Sequence, residues 1–151
     1  MTTAQTHYKV PGWFTRNVFN RVVAGLTRLG LSVWGSRVLR VRGRTSGEIR
    51  TVPVNLLTVD GTRYLVAPRG ETQWVRNLRA AGGNGELALG RRAEPFHATE
   101  LTDADKPPLL RAYLTRWKAE VGVFFDGVSA DSPAADVERI APRHPVFRLD
   151  T

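Results

Sequence analysis

Residues 37–67 read RVLRVRGRTSGEIRTVPVNLLTVDGTRYLVA. Residues 37–43 and 50–59 are rich in β-branched and apolar side chains, and the turn-like insert Arg44-Thr45-Ser46-Gly47-Glu48 parts them. Asp60-Gly61 then stands between LLTV and RYLVA. That dipeptide favours the tight two-residue turn of a hairpin, because both positions tolerate a positive φ. Three consecutive strands joined by short turns predict an antiparallel meander. A parallel sheet would need a crossover helix between each pair.

The same signals continue outward. Residues 72–81 (TQWVRNLRAA) have helical periodicity, with Thr72 as N-cap and Gly82-Gly83 as the stop. ELALG at 86–90 and EPFHATEL at 94–101 form another hairpin through residues 90–93. Residues 103–120 read as a helix that tolerates Pro107 in its first turn and buries Leu109, Leu110, Tyr113, Leu114 and Trp117. Residues 122–142 are mixed, with Gly127, Ser132 and Pro133 marking loops, and HPVFRLD closes the chain as a last strand. About six strands and three helices, without βαβ alternation, predict a mainly β (α+β) domain. Its form is an antiparallel sheet or barrel with inserted helices.

The first 34 residues form a separate region. Residues 1–10 read as a tail, and residues 12–30 (GWFTRNVFNRVVAGLTRLG) as an amphipathic helix. Trp13, Phe14, Val18, Val22, Leu26 and Leu29 fall near one stripe, and Arg16, Arg21 and Arg28 lie off it. Such a helix suits a membrane surface, a lid over a cavity, or ordinary packing on the domain's own core. The expected division is therefore 1–34 and 35–151. No stretch approaches the roughly 20 apolar residues of a spanning helix, and no secretory core is evident. The expected location is the cytoplasm, with peripheral membrane contact left open.

The 151 residues carry 22 Lys+Arg against 14 Asp+Glu, a net charge of +8. The excess is uneven: residues 1–92 hold 15 basic and 4 acidic side chains, and Lys9 is the only lysine among the 15. Arginine's planar fork favours bidentate contact with phosphate or carboxylate, so a multiply anionic partner is implied. The chain has no cysteine, which excludes disulfides, thiolate nucleophiles and thiolate metal sites. Glycine-rich phosphate loops, HExxH and GxSxG are absent. His7, His97 and His144 show no ligand spacing, so no metal site is expected. No acidic pair suggests acid/base catalysis.

Two segments carry positive signals. In GRTSGEIRTVP (43–53) a glycine-bounded turn bears Arg44, Thr45, Ser46 and, beyond it, Arg50. Backbone N–H groups can converge on an anion there. In VAPRGETQWVRNLRAAG (66–82) a strand runs into Arg69-Gly70 and then a helix with Trp74 and Asn77, whose N-terminus offers unpaired N–H groups.

Together with the closing APRHPVFRL, these segments make residues 35–151 resemble the deazaflavin-dependent nitroreductase family, split β-barrel oxidoreductases that use reduced coenzyme F420. The resemblance implies a six-stranded split barrel. It implies that Arg44 and Arg50, with Thr45 and Ser46, clasp the cofactor's phosphate and acidic tail. Thr45 stands where many relatives carry lysine. It further implies that Ala67, Pro68, Arg69 and Gly70 line the deazaflavin ring, with Trp74 and Asn77 from the following helix. Pro68 falls where some relatives place a serine, and proline has no hydroxyl or N–H to offer. Relatives with several tyrosines after the long helix correspond here to Val123, Phe124 and Phe125. Tyr113, Trp117, Phe124 and Phe125 are therefore the expected pocket for a small-molecule acceptor, and no protein side chain is expected to be catalytic, because the cofactor carries the hydride.

The implied activity is hydride transfer from F420H2 to a quinone-like or other apolar acceptor. Three alternatives stay open: FMN on the same barrel, a non-catalytic cofactor carrier, and a basic nucleic-acid module. Against the last, Trp74 and Tyr64 are not interleaved with arginines on one strand face, so no nucleic acid is expected. A homodimer is compatible with the sequence.

Overall fold

The computed structural model describes residues 36–150. The expected helix at 12–30, its membrane or lid role, and the 1–34 region lie outside the described residues. Six strands form a closed barrel in the order β1-β2-β3-β6-β5-β4: β1 Ser36–Arg42, β2 Ile49–Val59, β3 Thr62–Val66, β4 Asn84–Leu89, β5 Arg92–Glu100 and β6 Val146–Asp150. Every neighbouring pair is antiparallel. The Asp60-Gly61 turn has φ of 51° and 81°, the left-handed pair that a tight hairpin needs.

Among the described residues three α-helices are inserted: α1 Gln73–Ala80, α2 Pro107–Val121 and α3 Ala134–Ile140. The helix expected from 103 divides at its proline. A 3-10 turn covers Asp103–Asp105, and α2 begins at Pro107, where a missing N–H costs no hydrogen bond. Helix α3 lies in the stretch read as mixed. It has seven residues and only Val137 and Ile140 buried, too few to show a helical period.

The strand pattern explains how two cores share one sheet. Neighbouring residues on a strand point to opposite faces, and on β2, β3 and β6 both faces are apolar. Leu56, Leu65 and Phe147 face inward, where α1 closes the barrel with Trp74, Val75 and Leu78. Leu57, Val66 and Val146 face outward against Leu110, Tyr113, Trp117, Phe125, Val137 and Ile140. The exit from α1 needs a bare backbone. Gly83 (φ +88°) lies so close to β5 that a Cβ would collide with the Ala98 carbonyl oxygen, while its N–H bonds to Leu78 O at 2.9 Å.

Candidate functional site

The β1–β2 turn is closed by its own backbone. Gly43 N–H donates to Glu48 O at 2.7 Å, and Gly47 N–H donates to Gly43 O at 2.9 Å. The turn lies against α1 through one buried side chain. Asn77 Oδ1 accepts from both the Arg44 backbone N–H (3.0 Å) and Arg44 Nη1 (2.8 Å). Asn77 is buried and Arg44 is exposed, so a core-anchored amide orients a surface guanidinium. Ser46 Oγ accepts from Glu48 N–H and from Arg50 Nη2. Arg42 Nη1 donates to Gly47 O at 2.7 Å.

The arginines sort by partner. Arg40 pairs with Glu86, Arg63 makes a two-pronged contact with Glu94, and Arg79 bridges Glu71 and Glu100. Those charges are neutralised within the protein, and the two carboxylates hold the Arg79 guanidinium well above its ordinary pKa. Arg42, Arg44 and Arg50 on the turn have no carboxylate partner among the described residues. Glu48 is the single acidic side chain of that turn.

The loop between β3 and α1 leads into the helix that carries Asn77. Gly70 has φ +86°, and its N–H bonds to Ala67 O at 3.1 Å. Thr72 occupies the N-cap of α1, yet its side chain makes no capping bond. Its hydroxyl is buried without a hydrogen-bond partner, an arrangement that ordinarily costs about 1–3 kcal/mol. The loop therefore ends in an unmet hydroxyl at a helix N-terminus, five residues before Asn77.

The expected aromatic contacts need correction. Trp74 packs on Phe147 inside the barrel with ring centroids 5.9 Å apart; an amphipathic helix that plugs a barrel turns its largest apolar side chain inward. Tyr113, Trp117 and Phe125 are at most 1% exposed. They fill the core between the barrel and α2–α3 instead of lining an acceptor pocket. Burial pushes the Tyr113 phenol well above its ordinary pKa, so it stays protonated. Phe124 alone of that group is half-buried, and the Arg69 guanidinium lies 4.4 Å from its ring centroid. This contact joins the β3–α1 loop to the 3-10 turn Gly122–Phe124 that follows α2. Thr45 and Ser46 are exposed on the turn, Ala67 is buried in the barrel core, and Pro68 is half-buried.

Two histidines have partners that spacing could not reveal. His97 Nδ1 lies 3.2 Å from Asp150 Oδ2 across the β5–β6 ladder. His144 is buried beneath the β3–α1 loop. Among the described residues no group of His, Asp or Glu could hold a metal ion.

The model of the F420H(2)-dependent quinone reductase family matches residues 14–131. The chain belongs to that family. It is thus an F420-dependent oxidoreductase, and the family takes in both the arginine turn and the loop leading into α1. Among solved structures, one described as a domain-swapped dimer aligns with a TM-score of 0.54 and 18% identity, over 91% of this chain and 97% of that one. An F420-H2 dependent reductase aligns at 0.50 with 20% identity, over 77% and 94%. An FAD-binding protein from Mesorhizobium loti aligns at 0.51 with 13% identity, over 85% and 86%. At these identities the likeness establishes the split-barrel fold. A comparison with curated proteins finds no match.

The residues present suit the cofactor. Its phosphate and carboxylate groups call for cationic donors without internal carboxylate partners, and Arg44 and Arg50 meet that requirement. Replacing Thr72 by valine, which keeps the shape and removes the hydroxyl, should raise the unfolding free energy of the ligand-free protein by about 1 kcal/mol. The same change should leave cofactor affinity near the native value, because the hydroxyl has almost no surface to offer a ligand. Denaturant unfolding paired with a binding titration tests this, and a destabilised Thr72→Val protein would show the hydroxyl to be structural.

Proposed function

We propose that the protein passes hydride from F420H2 to a flat, apolar, quinone-like acceptor. The observation that carries the reading is the Arg44–Asn77 junction, which fixes a cationic turn against α1, the helix that the loop Ala67–Gly70 leads into. Arg44 and Arg50 would hold the phosphate and acidic tail. Ala67, Pro68, Arg69 and Gly70 would flank the ring, with Phe124 supplying apolar surface on the acceptor side. When bound, F420H2 supplies a hydride and a proton, which convert a quinone to its quinol. The protein's own part is to bind, orient and exclude water. Phe124 has no hydroxyl to stabilise charge on a nitro group, but its ring can bury a flat apolar molecule.

Fluorescence titration with F420 and with FMN, followed by turnover with a hydrophobic quinone and a bicyclic nitro compound, tests the reading. F420 should bind more tightly than FMN, whose single phosphate leaves the acidic-tail contacts unmade. The quinone should have the higher kcat/KM, and Phe124→Tyr should narrow the gap by about tenfold, the worth of one hydrogen bond. Binding without turnover would indicate a carrier. A preference for the nitro compound in the native protein would refute the apolar-acceptor assignment. The assembly we propose is a homodimer, supported by the domain-swapped dimer described for a protein of the same fold. Sedimentation measures it.

A further inference from the structure

His144 is only 4% exposed and packed against the loop assigned to the cofactor. Its Nδ1 is 3.2 Å from Ala67 O. A carbonyl only accepts, so Nδ1 carries the proton and donates. The Pro68 backbone also favours the protonated ring, and since proline has no N–H that influence comes from its carbonyl. The imidazole therefore faces two successive peptide carbonyls at the start of the loop. Its other face stacks on Phe125, with centroids 4.2 Å apart and planes 18° from parallel. Phe124, the preceding residue, lies under Arg69.

The segment around His144 backs the whole loop. Ala67 N–H donates to Pro145 O at 2.9 Å. A Cβ on Gly70 would come within 3.2 Å of Arg143 O. His144 N–H and Lys106 Nζ both donate to Ala141 O. The loop thus rests on one side chain that hydrogen-bonds to it and stacks on the wall next to Phe124.

We propose that His144 is a positioning residue, which fixes the Ala67–Gly70 loop against the Phe124–Phe125 turn and so sets the spacing between cofactor and acceptor. The role rests on the function proposed above and deepens it. The site is poised for the neutral ring. Burial holds the His144 pKa below its ordinary 6.5; the Ala67 and Pro68 carbonyls oppose that shift, and the Lys106 and Arg143 charges reinforce it. The facing charged groups are Lys106, paired with Asp103 at 2.8 Å, and Arg143, paired with Asp126 at 3.2 Å. A His with a depressed pKa contributes stability that is complete above its unfolded pKa and is lost as pH falls through 6.5 towards the folded value. Acidification should therefore loosen the loop.

The experiment compares native protein, His144→Asn, which keeps a donor near the Nδ1 position, and His144→Phe, which keeps the stack. Amide exchange at Ala67 and Gly70 is followed without ligand, and F420 affinity is measured at about pH 7.5 and about pH 5.5. His144→Phe should speed exchange at both amides and weaken F420 binding by roughly three- to tenfold. His144→Asn should restore most of that affinity. Native protein should lose affinity at the lower pH by a larger factor than His144→Asn, which has no titrating ring. Parallel pH responses, or native affinity in His144→Phe, would overturn the proposal. If His144→Phe does not fold, the pH comparison between native protein and His144→Asn decides alone. Failure of the native protein to bind F420 at either pH would overturn the cofactor reading itself. Normal F420 binding with unaltered exchange in His144→Phe would overturn only the positioning role.

Discussion

Arg44→Ala should raise the dissociation constant for F420 by about ten- to a hundredfold. A charge-assisted hydrogen bond contributes roughly 1.5–3 kcal/mol, and each 1.4 kcal/mol is a factor of ten. The size follows from preorganisation as well as charge. Asn77 Oδ1 takes both the backbone N–H and one guanidinium nitrogen of Arg44, so part of the side-chain entropy that binding would cost is already spent. Asn77→Ala should then weaken binding too, although Asn77 would touch no phosphate. The double substitution should cost less than the two single losses added, because both act through one guanidinium. Arg44→Lys should rescue only partly: an ammonium cannot serve Asn77 and a phosphate with a planar fork. Since Arg44 is exposed, the loss should shrink as salt rises. Fluorescence titrations at low and moderate salt measure the native protein and all four variants. Equal affinities for native protein and Arg44→Ala would remove this turn from the cofactor site.

The local turns were readable and the barrel's closure was not. Asp60-Gly61 announces a hairpin because few residue pairs accept two positive φ angles. Nothing along the chain says that Val38 pairs with Ala88, or Leu65 with Phe147. Those pairings are set when strands with apolar inner faces wrap around α1, a choice of partner that no local pattern encodes. Helix α3 has no periodic signature in the sequence, because two buried residues in seven do not make a period.

The candidate site divides along the same line. Glycines and arginines on a turn are visible as chemistry, so Arg44 and Arg50 could be named from sequence, with the family resemblance supplying their role. Thr72 was readable as an N-cap by position, but a hydroxyl that caps nothing is a property of packing. His144 offered no signal, because its partners Ala67, Pro68 and Phe125 are chosen by the fold. Aromatic residues misled for a physical reason. An aromatic in a pocket wall and one in a core have the same sequence pattern, and only the depth of the neighbouring layer separates them.

Trp117 provides the sharpest test of that separation. It is 1% exposed and belongs to the core between the barrel and the outer helices. Its indole N–H donates to Leu56 O at 3.1 Å, tying α2 to β2. The Arg116 guanidinium lies 4.2 Å from its ring centroid. Its backbone departs from helical geometry, with φ −120° and ψ 19° inside α2, so the side chain is seated at a break in the helix. Trp117→Ala should destabilise the protein by about 3–5 kcal/mol through lost transfer energy and the cavity left behind. That is a large share of the roughly 5–15 kcal/mol by which domains are stable. Trp117→Phe retains much of the apolar volume and forfeits the indole donor. It should cost about 1–3 kcal/mol, because the Leu56 carbonyl loses a buried partner. Denaturant unfolding gives both values. The discriminating measurement is the kinetics of Trp117→Phe under conditions where it is folded. A core residue leaves the ratio of kcat/KM for quinone and nitro acceptors unchanged, whereas a wall residue shifts it. Native stability with an altered acceptor ratio would return Trp117 to the pocket and require the outer helices to open during turnover.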